Sequence, residues 1–237
     1  MPELPEVETT RRGIEPLLLW KTVETVMVRN PSLRWPVPEC LADVLPGQSV
    51  RKVSRRGKYL LLDFESGTLI IHLGMAGHLR VVDRDAERRK HDHVELHFDN
   101  DTVLCFNDSR RFGALLWTTD HPYRHPCLVN LGPEPFEDSF TADYLYENAR
   151  RRSVAVKQLL MDARVVVGVG NIYASEVLFR AGIDPRRSAG RIDMADCQHL
   201  VDAVRNVLGD ALEAGGTTIR DFSDASGRPG YFQQQLK

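Results

Sequence analysis

His93-Val94-Glu95-Leu96-His97-Phe98 alternates polar and apolar residues at every step. Successive side chains of a strand point to opposite faces, so this alternation predicts a β-strand with one buried face. Other short stretches of strand character surround it, at 22–28, 58–64, 68–73, 78–82 and 102–106, separated by turn residues. No helical pattern intervenes between them. That predicts antiparallel pairing in a sandwich instead of βαβ units. A helix is expected ahead of the strands. Pro5 suits a first helical turn, Glu6 and Glu8 suit the positive end of the dipole, and Val7, Ile14 and Leu18 share one face.

Beyond the strands the composition changes. Pro122, Pro126, Pro133 and Pro135 crowd a stretch with little periodicity, which predicts a linker over 120–137. Helical patterns follow, with a short helix at about 154–162 and another from Asn171 to near Gly182. Asp193 can cap a long helix whose apolar positions run Met194, Cys197, Leu200, Val201, Val204, Val207, Leu208, Ala211 and Leu212 before Gly215-Gly216 ends it. The expectation is an α+β protein. An N-terminal helix and an antiparallel β-sandwich occupy 1–119, and an all-α domain occupies 138–237.

The 237 residues suffice for a sizeable core, and 42% hydrophobic with 27% charged residues argues against wholesale disorder. No apolar run approaches the roughly 18 residues of a membrane span, and nothing at the start resembles a secretory signal. Cys40, Cys105, Cys127 and Cys197 lie far apart with no C-x-x-C pair, against both a disulfide framework and a cysteine zinc site among them. A net charge of −2 counts slightly against a nucleic-acid partner, but it hides local clusters.

Three constellations can carry chemistry. Pro2-Glu3-Leu4-Pro5-Glu6 would present a secondary amine once Met1 is removed, able to form an iminium ion with an aldehyde carbon beside two carboxylates. The competing reading is a frayed terminus with a helix-start proline. Gly168-x-Gly170-Asn171, between two helices, is either a phosphate cradle or a tight helix–helix turn. Four basic clusters, Arg55-Arg56-Gly57-Lys58, Arg88-Arg89-Lys90, Arg110-Arg111 and Arg150-Arg151-Arg152, are either solvated faces or parts of a phosphate track. Phe112 beside Arg110-Arg111 is either core or a wedge for a base stack.

Seven stretches in order resemble one family, the bacterial formamidopyrimidine-DNA glycosylases. They are Pro2–Thr9, Gly57–Leu60, His72–Met75, Lys90–His93, Asp108–Gly113, Leu131–Pro135 and Gly168–Glu176, and the likeness covers essentially the whole chain. The resemblance implies a helix–two-turn–helix architecture for the all-α domain. It implies a base-excision glycosylase for oxidised purines, such as 8-oxoguanine, that also nicks abasic sites by β,δ-elimination. Pro2 would be the nucleophile, Glu3 the general acid/base and Glu6 a supporting carboxylate, with Lys58 completing the catalytic set. His72, His91, Arg111, Gly170, Asn171 and Tyr231 would bind DNA. Met75, Arg110 and Phe112 would enter the duplex, and a segment at 216–231 would close over an everted base. The expected partner is double-stranded DNA, met by a monomer in the bacterial cytoplasm and nucleoid, with no membrane. The family's structural zinc sits in a four-cysteine finger that would begin after Lys237, so no cofactor is expected within 1–237. Two alternatives stand: a damaged-DNA-binding remnant without catalysis, and an oxidised-pyrimidine glycosylase of the related endonuclease eight branch. Leu4 favours the first-named family over that branch.

Overall fold

A computed structural model describes residues 2–216. Helix α1 (Leu4–Leu18) is followed by β1 (Val23–Val28), the single-turn α2 (Leu41–Val44), and then seven strands: β2 (Lys52–Arg56), β3 (Tyr59–Asp63), β4 (Thr68–His72), β5 (His78–Asp83), β6 (Asp92–Phe98), β7 (Thr102–Asn107) and β8 (Ala114–Thr118). The chain then passes through a 3-10 turn at Pro122–Arg124 to α3 (Ala142–Ala149), α4 (Val156–Met161), α5 (Asn171–Ala181) and α6 (Met194–Glu213). The strands form two antiparallel sheets of four, ordered β1-β6-β7-β5 and β2-β3-β4-β8. Val94, Leu96, Phe98, Leu104 and Phe106 of the first meet Leu60, Leu62, Leu69, Ile71 and Leu115 of the second in one apolar core. The expected α+β architecture is the observed one.

Two strands and two helices escape the sequence pattern, for physical reasons. Of β2 only Val53 is fully buried, and the strand otherwise reads as a charge cluster. The Ala-Leu-Leu-Trp of β8 has no alternation. A single turn such as α2 is too short to show a period. Helix α3 buries small residues, Ala142 and Ala149, beside Leu145, under an N-cap in which Thr141 Oγ1 accepts from Tyr144 N–H at 3.1 Å.

Strand β6 corrects the expectation of a single buried face. Its acidic side chains are buried too, because an arginine just past β1 and another on β5 close over them. Glu95 accepts from Arg29 Nε at 2.7 Å and Nη2 at 2.9 Å. Asp92 accepts from Arg80 Nη2 at 2.9 and 3.0 Å and from Asn107 Nδ2 at 2.8 Å.

In the helical half, Asp193 caps α6 as expected. Its carboxylate accepts from Asp196 N–H at 2.8 Å, and Asp196 returns the bond to Asp193 N–H at 3.0 Å. The predicted stripe from Cys197 to Ala211 is buried, whereas Met194 at its start is exposed. Helix α1 belongs to both halves. Val7, Ile14 and Leu18 lie in the sandwich core, while Leu4 lies in the helical core. The chain's N-terminus is thereby fixed where the two cores meet.

Candidate active site

Pro2, Glu3 and Glu6 are buried at that junction. Glu6 folds back on its own helix start and accepts from Glu3 N–H at 2.9 Å. Glu3 reaches across to α5, where its carboxylate accepts from the Gly170 N–H and, at 3.0 Å, from the Ile172 N–H. A helix N-terminus offers unpaired donors and a positive dipole end, so a carboxylate is stable there. A side chain at Gly170 would put its Cβ 2.4 Å from the Glu3 carboxyl carbon, so only glycine lets the two elements meet. The loop before α5 therefore departs from the phosphate-cradle expectation. The amides of Gly170 and Ile172 already serve Glu3, and what α5 offers outward is the exposed Asn171.

Lys58 points at the same junction and donates to the Val169 carbonyl at 3.0 Å. Burial pulls its pKa down, while Glu3 and Glu6 pull it up. Burial pushes the Glu3 carboxyl above the usual carboxylate range, opposed by Lys58 and the α5 amides. Tyr173, fully buried, donates its hydroxyl to Glu6 Oε1 at 2.6 Å. This partner of Glu6 was not singled out from the sequence, where it stood only as one letter of a longer motif.

The turn that presents Lys58 is clamped, which overturns the phosphate-track reading of Arg55 and Arg56. Arg55 donates to Glu134 at 2.8 Å and to Glu8 at 3.2 Å, and Arg56 donates to Glu134 at 3.1 Å. Glu134 also accepts from the Gly57 N–H at 2.7 Å. One carboxylate between β8 and α3 thus holds two arginines and the turn itself.

Register carries the site sideways. Tyr59, next to Lys58, pairs with His72 at the end of β4, and His72 pairs with Ala114, which follows the loop 108–113. One edge of the second sheet accordingly sets Lys58, His72 and Arg110–Phe112 side by side. There an open cleft of ≈ 770 Å³ is lined by Arg34, His72, Met75, Arg110, Arg111 and Phe112 among others. Met75 and Phe112 are 40% and 45% exposed, and the Arg110 guanidinium lies 5.0 Å from the Phe112 ring centre. Phe112 is not a core residue.

Asp108 shapes that loop. Its buried carboxylate accepts from Arg110 N–H at 3.0 Å and Gly113 N–H at 2.8 Å, holding Arg111 in the left-handed region at φ 58°. An aspartate two residues before the arginines was a signal for this turn. Gly74, with φ 64°, passes so close that a Cβ would stand 2.4 Å from the Gly113 nitrogen. His72 Nδ1 accepts from the Gly74 N–H at 3.0 Å. Burial, with Arg34 and Lys58 nearby, lowers the His72 pKa to about 4. The ring is therefore neutral at pH 7 and carries its proton on Nε2. His91 does not line this cleft, and its carbonyl accepts from Asp108 N–H at 3.1 Å. Tyr231 and the segment 217–231 lie outside the described residues.

A structural zinc does not fit residues 2–216. Cys197 is buried in the helical core and Cys105 on β7, both with thiols pushed up to about 11, Cys40 is exposed and Cys127 lies between β8 and α3. No three metal-ligating side chains converge among the described residues.

Known proteins align with this architecture. The formamidopyrimidine-DNA glycosylase N-terminal domain matches residues 1–115, and the H2TH domain of the same enzymes matches residues 131–223. The chain belongs to the formamidopyrimidine-DNA glycosylase family. It is 55% identical over 237 residues to the formamidopyrimidine-DNA glycosylase of Thioalkalivibrio sulfidiphilus, covering all of this chain and 88% of that one. It is 56% identical over 236 residues to that of Stutzerimonas stutzeri, covering all of this chain and 87% of that one. The crystal structure of Fpg from Thermus thermophilus superposes with a TM-score of 0.89 at 38% identity, covering 99% of this chain and 86% of that one. A Lactococcus lactis Fpg in complex with abasic-site DNA superposes with a TM-score of 0.91 at 32% identity, with the same coverage. The two matched domains of the glycosylase family contain both the junction around Pro2 and the cleft. No described helix is long and apolar enough to cross a membrane.

Proposed function

We propose that this chain removes oxidised purines from duplex DNA and then cleaves the strand at the resulting abasic site, with Pro2 as nucleophile. The observation that carries this reading is the burial of Pro2 with Glu3 and Glu6, beside Lys58 and next to a cleft edged with exposed arginines, Met75 and Phe112. The related Lactococcus lactis Fpg is found in complex with abasic-site DNA, and a mutant of it in complex with DNA containing Fapy-dG.

A lesion inside a duplex must be turned out, and unstacking costs a few kcal/mol per step. Phe112 wedges the step while Met75 and Arg110 fill the vacated space, Arg110 facing the orphaned cytosine. His72, Arg111 and Asn171 grip phosphates around the everted nucleotide. The Pro2 amine, freed by loss of Met1, attacks C1′ as the bond to the base breaks, and the proton that the amine gives up leaves with the base. Glu3, whose protonated form burial favours, donates to O4′ as the sugar ring opens to an iminium ion. The iminium acidifies the C2′ protons. Removing one expels the 3′ phosphate, a second elimination expels the 5′ phosphate, and hydrolysis returns the amine.

Borohydride added during turnover of an 8-oxoguanine duplex should reduce the iminium to a stable adduct on the N-terminal peptide at Pro2. An adduct mapped to Lys58 would remove Pro2 from its role. Binding without an adduct would leave a damaged-DNA-binding protein instead.

A further inference from the structure

We infer that Arg34 is a DNA-contacting residue whose guanidinium, supported by Trp35, binds a backbone phosphate beside the point where Phe112 enters; this rests on the reading above. The segment 30–37 is a turn closed on itself. Asn30 Oδ1 accepts from Ser32 N–H at 3.0 Å, and the Pro31 carbonyl accepts from Leu33 N–H at 3.0 Å and Val37 N–H at 2.9 Å. At its tip, Arg34 N–H donates to the Gly113 carbonyl at 3.1 Å, so the turn is tied to the loop that carries Phe112. The Arg34 guanidinium carbon lies 4.9 Å from the Trp35 ring centre, and Arg110 is supported by Phe112 in the same way at 5.0 Å. An aromatic face orients a guanidinium without neutralising it, leaving its five donors for a ligand.

The charge pattern identifies the ligand. Arg29, Arg55, Arg80 and Arg84 each face a carboxylate. Arg34, Arg110 and Arg111, which line one cleft, face none among the described residues. Three guanidiniums without counter-charge repel one another in the free protein, and an anion between them relieves that repulsion. His72, held neutral, adds an N–H donor there and no fourth charge. A phosphate suits this chemistry, and a phosphate contact carries no sequence information, as an enzyme acting at any position requires.

The test is the salt dependence of binding by the full chain to a duplex carrying an uncleavable abasic-site analogue. Each lost phosphate contact lowers the slope of log Kobs against log[salt] by about 0.9. Arg34→Ala should show that loss, so that its binding deficit relative to the unsubstituted chain shrinks about 3.5-fold between 50 and 200 mM salt. Arg34→Lys should keep the slope. Arg51→Ala, at an arginine paired with Glu65 and outside the cleft, should also leave it unchanged. An unsubstituted slope in Arg34→Ala, or an equal fall in Arg51→Ala, overturns the inference and leaves the glycosylase reading standing. Failure of the unsubstituted chain to bind the analogue duplex would overturn both.

Discussion

Arg55-Arg56 and Arg110-Arg111 look alike in the sequence and are opposites in the fold. The first pair is 13% and 14% exposed and answered by Glu134 and Glu8. The second is exposed and unanswered among the described residues, and its loop is shaped by an aspartate that binds backbone amides instead of guanidiniums. What an arginine pair does is therefore decided by which carboxylate can reach it. The junction spends its charges on holding Lys58 and the N-terminus rigid. The cleft leaves its charges for a partner.

The largest effect should come from the centre of the junction. Glu3→Gln removes proton transfer and retains a carbonyl for one of the two α5 amides that Glu3 serves. Excision should fall by about 10²–10⁴-fold, while affinity for an abasic-analogue duplex stays within a few-fold. Parallel losses in single-turnover excision and in binding would mean that Glu3 is only a helix cap.

The next effect separates the two arginine pairs by stability. Glu134→Ala strips the acceptor from two largely buried guanidiniums and from the Gly57 N–H. Breaking such a pair should destabilise the protein by about 3 kcal/mol, read as a lower urea midpoint. Arg111→Ala should leave that midpoint nearly unchanged, since no ion pair is lost. Similar midpoints for both variants would dissolve the contrast.

How much of this was legible differs between the regions. Local features were plain: Asp193 announces α6, Gly182 follows the end of α5, and the spacing of Val7, Ile14 and Leu18 marks the buried face of α1. The alternation in β6 gave the strand but not its second buried face, because Arg29 and Arg80 arrive from distant parts of the chain. Glu134 lies between β8 and α3, 79 residues beyond Arg55, and nothing local to either residue announces the pair. Pro2, Glu3, Glu6 and Lys58 stood out through a family motif. Tyr173 and Asp108 act through single hydrogen bonds, whose partners are visible only once the chain is folded.

On the cleft side, Phe112→Ala should cost little stability, because the ring is 45% exposed. It should slow excision of 8-oxoguanine paired with cytosine by about tenfold, an effect of roughly 1.4 kcal/mol on unstacking. Cleavage at a preformed abasic site needs less unstacking and should change less. Equal slowing on both substrates would assign Phe112 to shaping the loop instead of wedging the stack.

The smallest effect tests whether the cleft avoids charge where it needs a neutral donor. His72 has its folded pKa lowered from 6.5 to about 4, chiefly by burial. Between those values the unfolded chain takes up a proton that the folded chain refuses, so stability falls as pH drops through this window and is flat above it. The contribution should be about 1 kcal/mol between pH 6.5 and 5 for a ring that is partly solvated. His72→Asn preserves an acceptor for the Gly74 N–H and cannot titrate. Its urea midpoint should therefore decline less over that interval than that of the unsubstituted chain. His78 and His125, also lowered by burial, titrate in both proteins and cancel in the comparison. Identical declines would mean that His72 protonates freely in the fold. The cleft would then carry a fourth cation at mildly acidic pH, and its grip on DNA would tighten there instead of staying level.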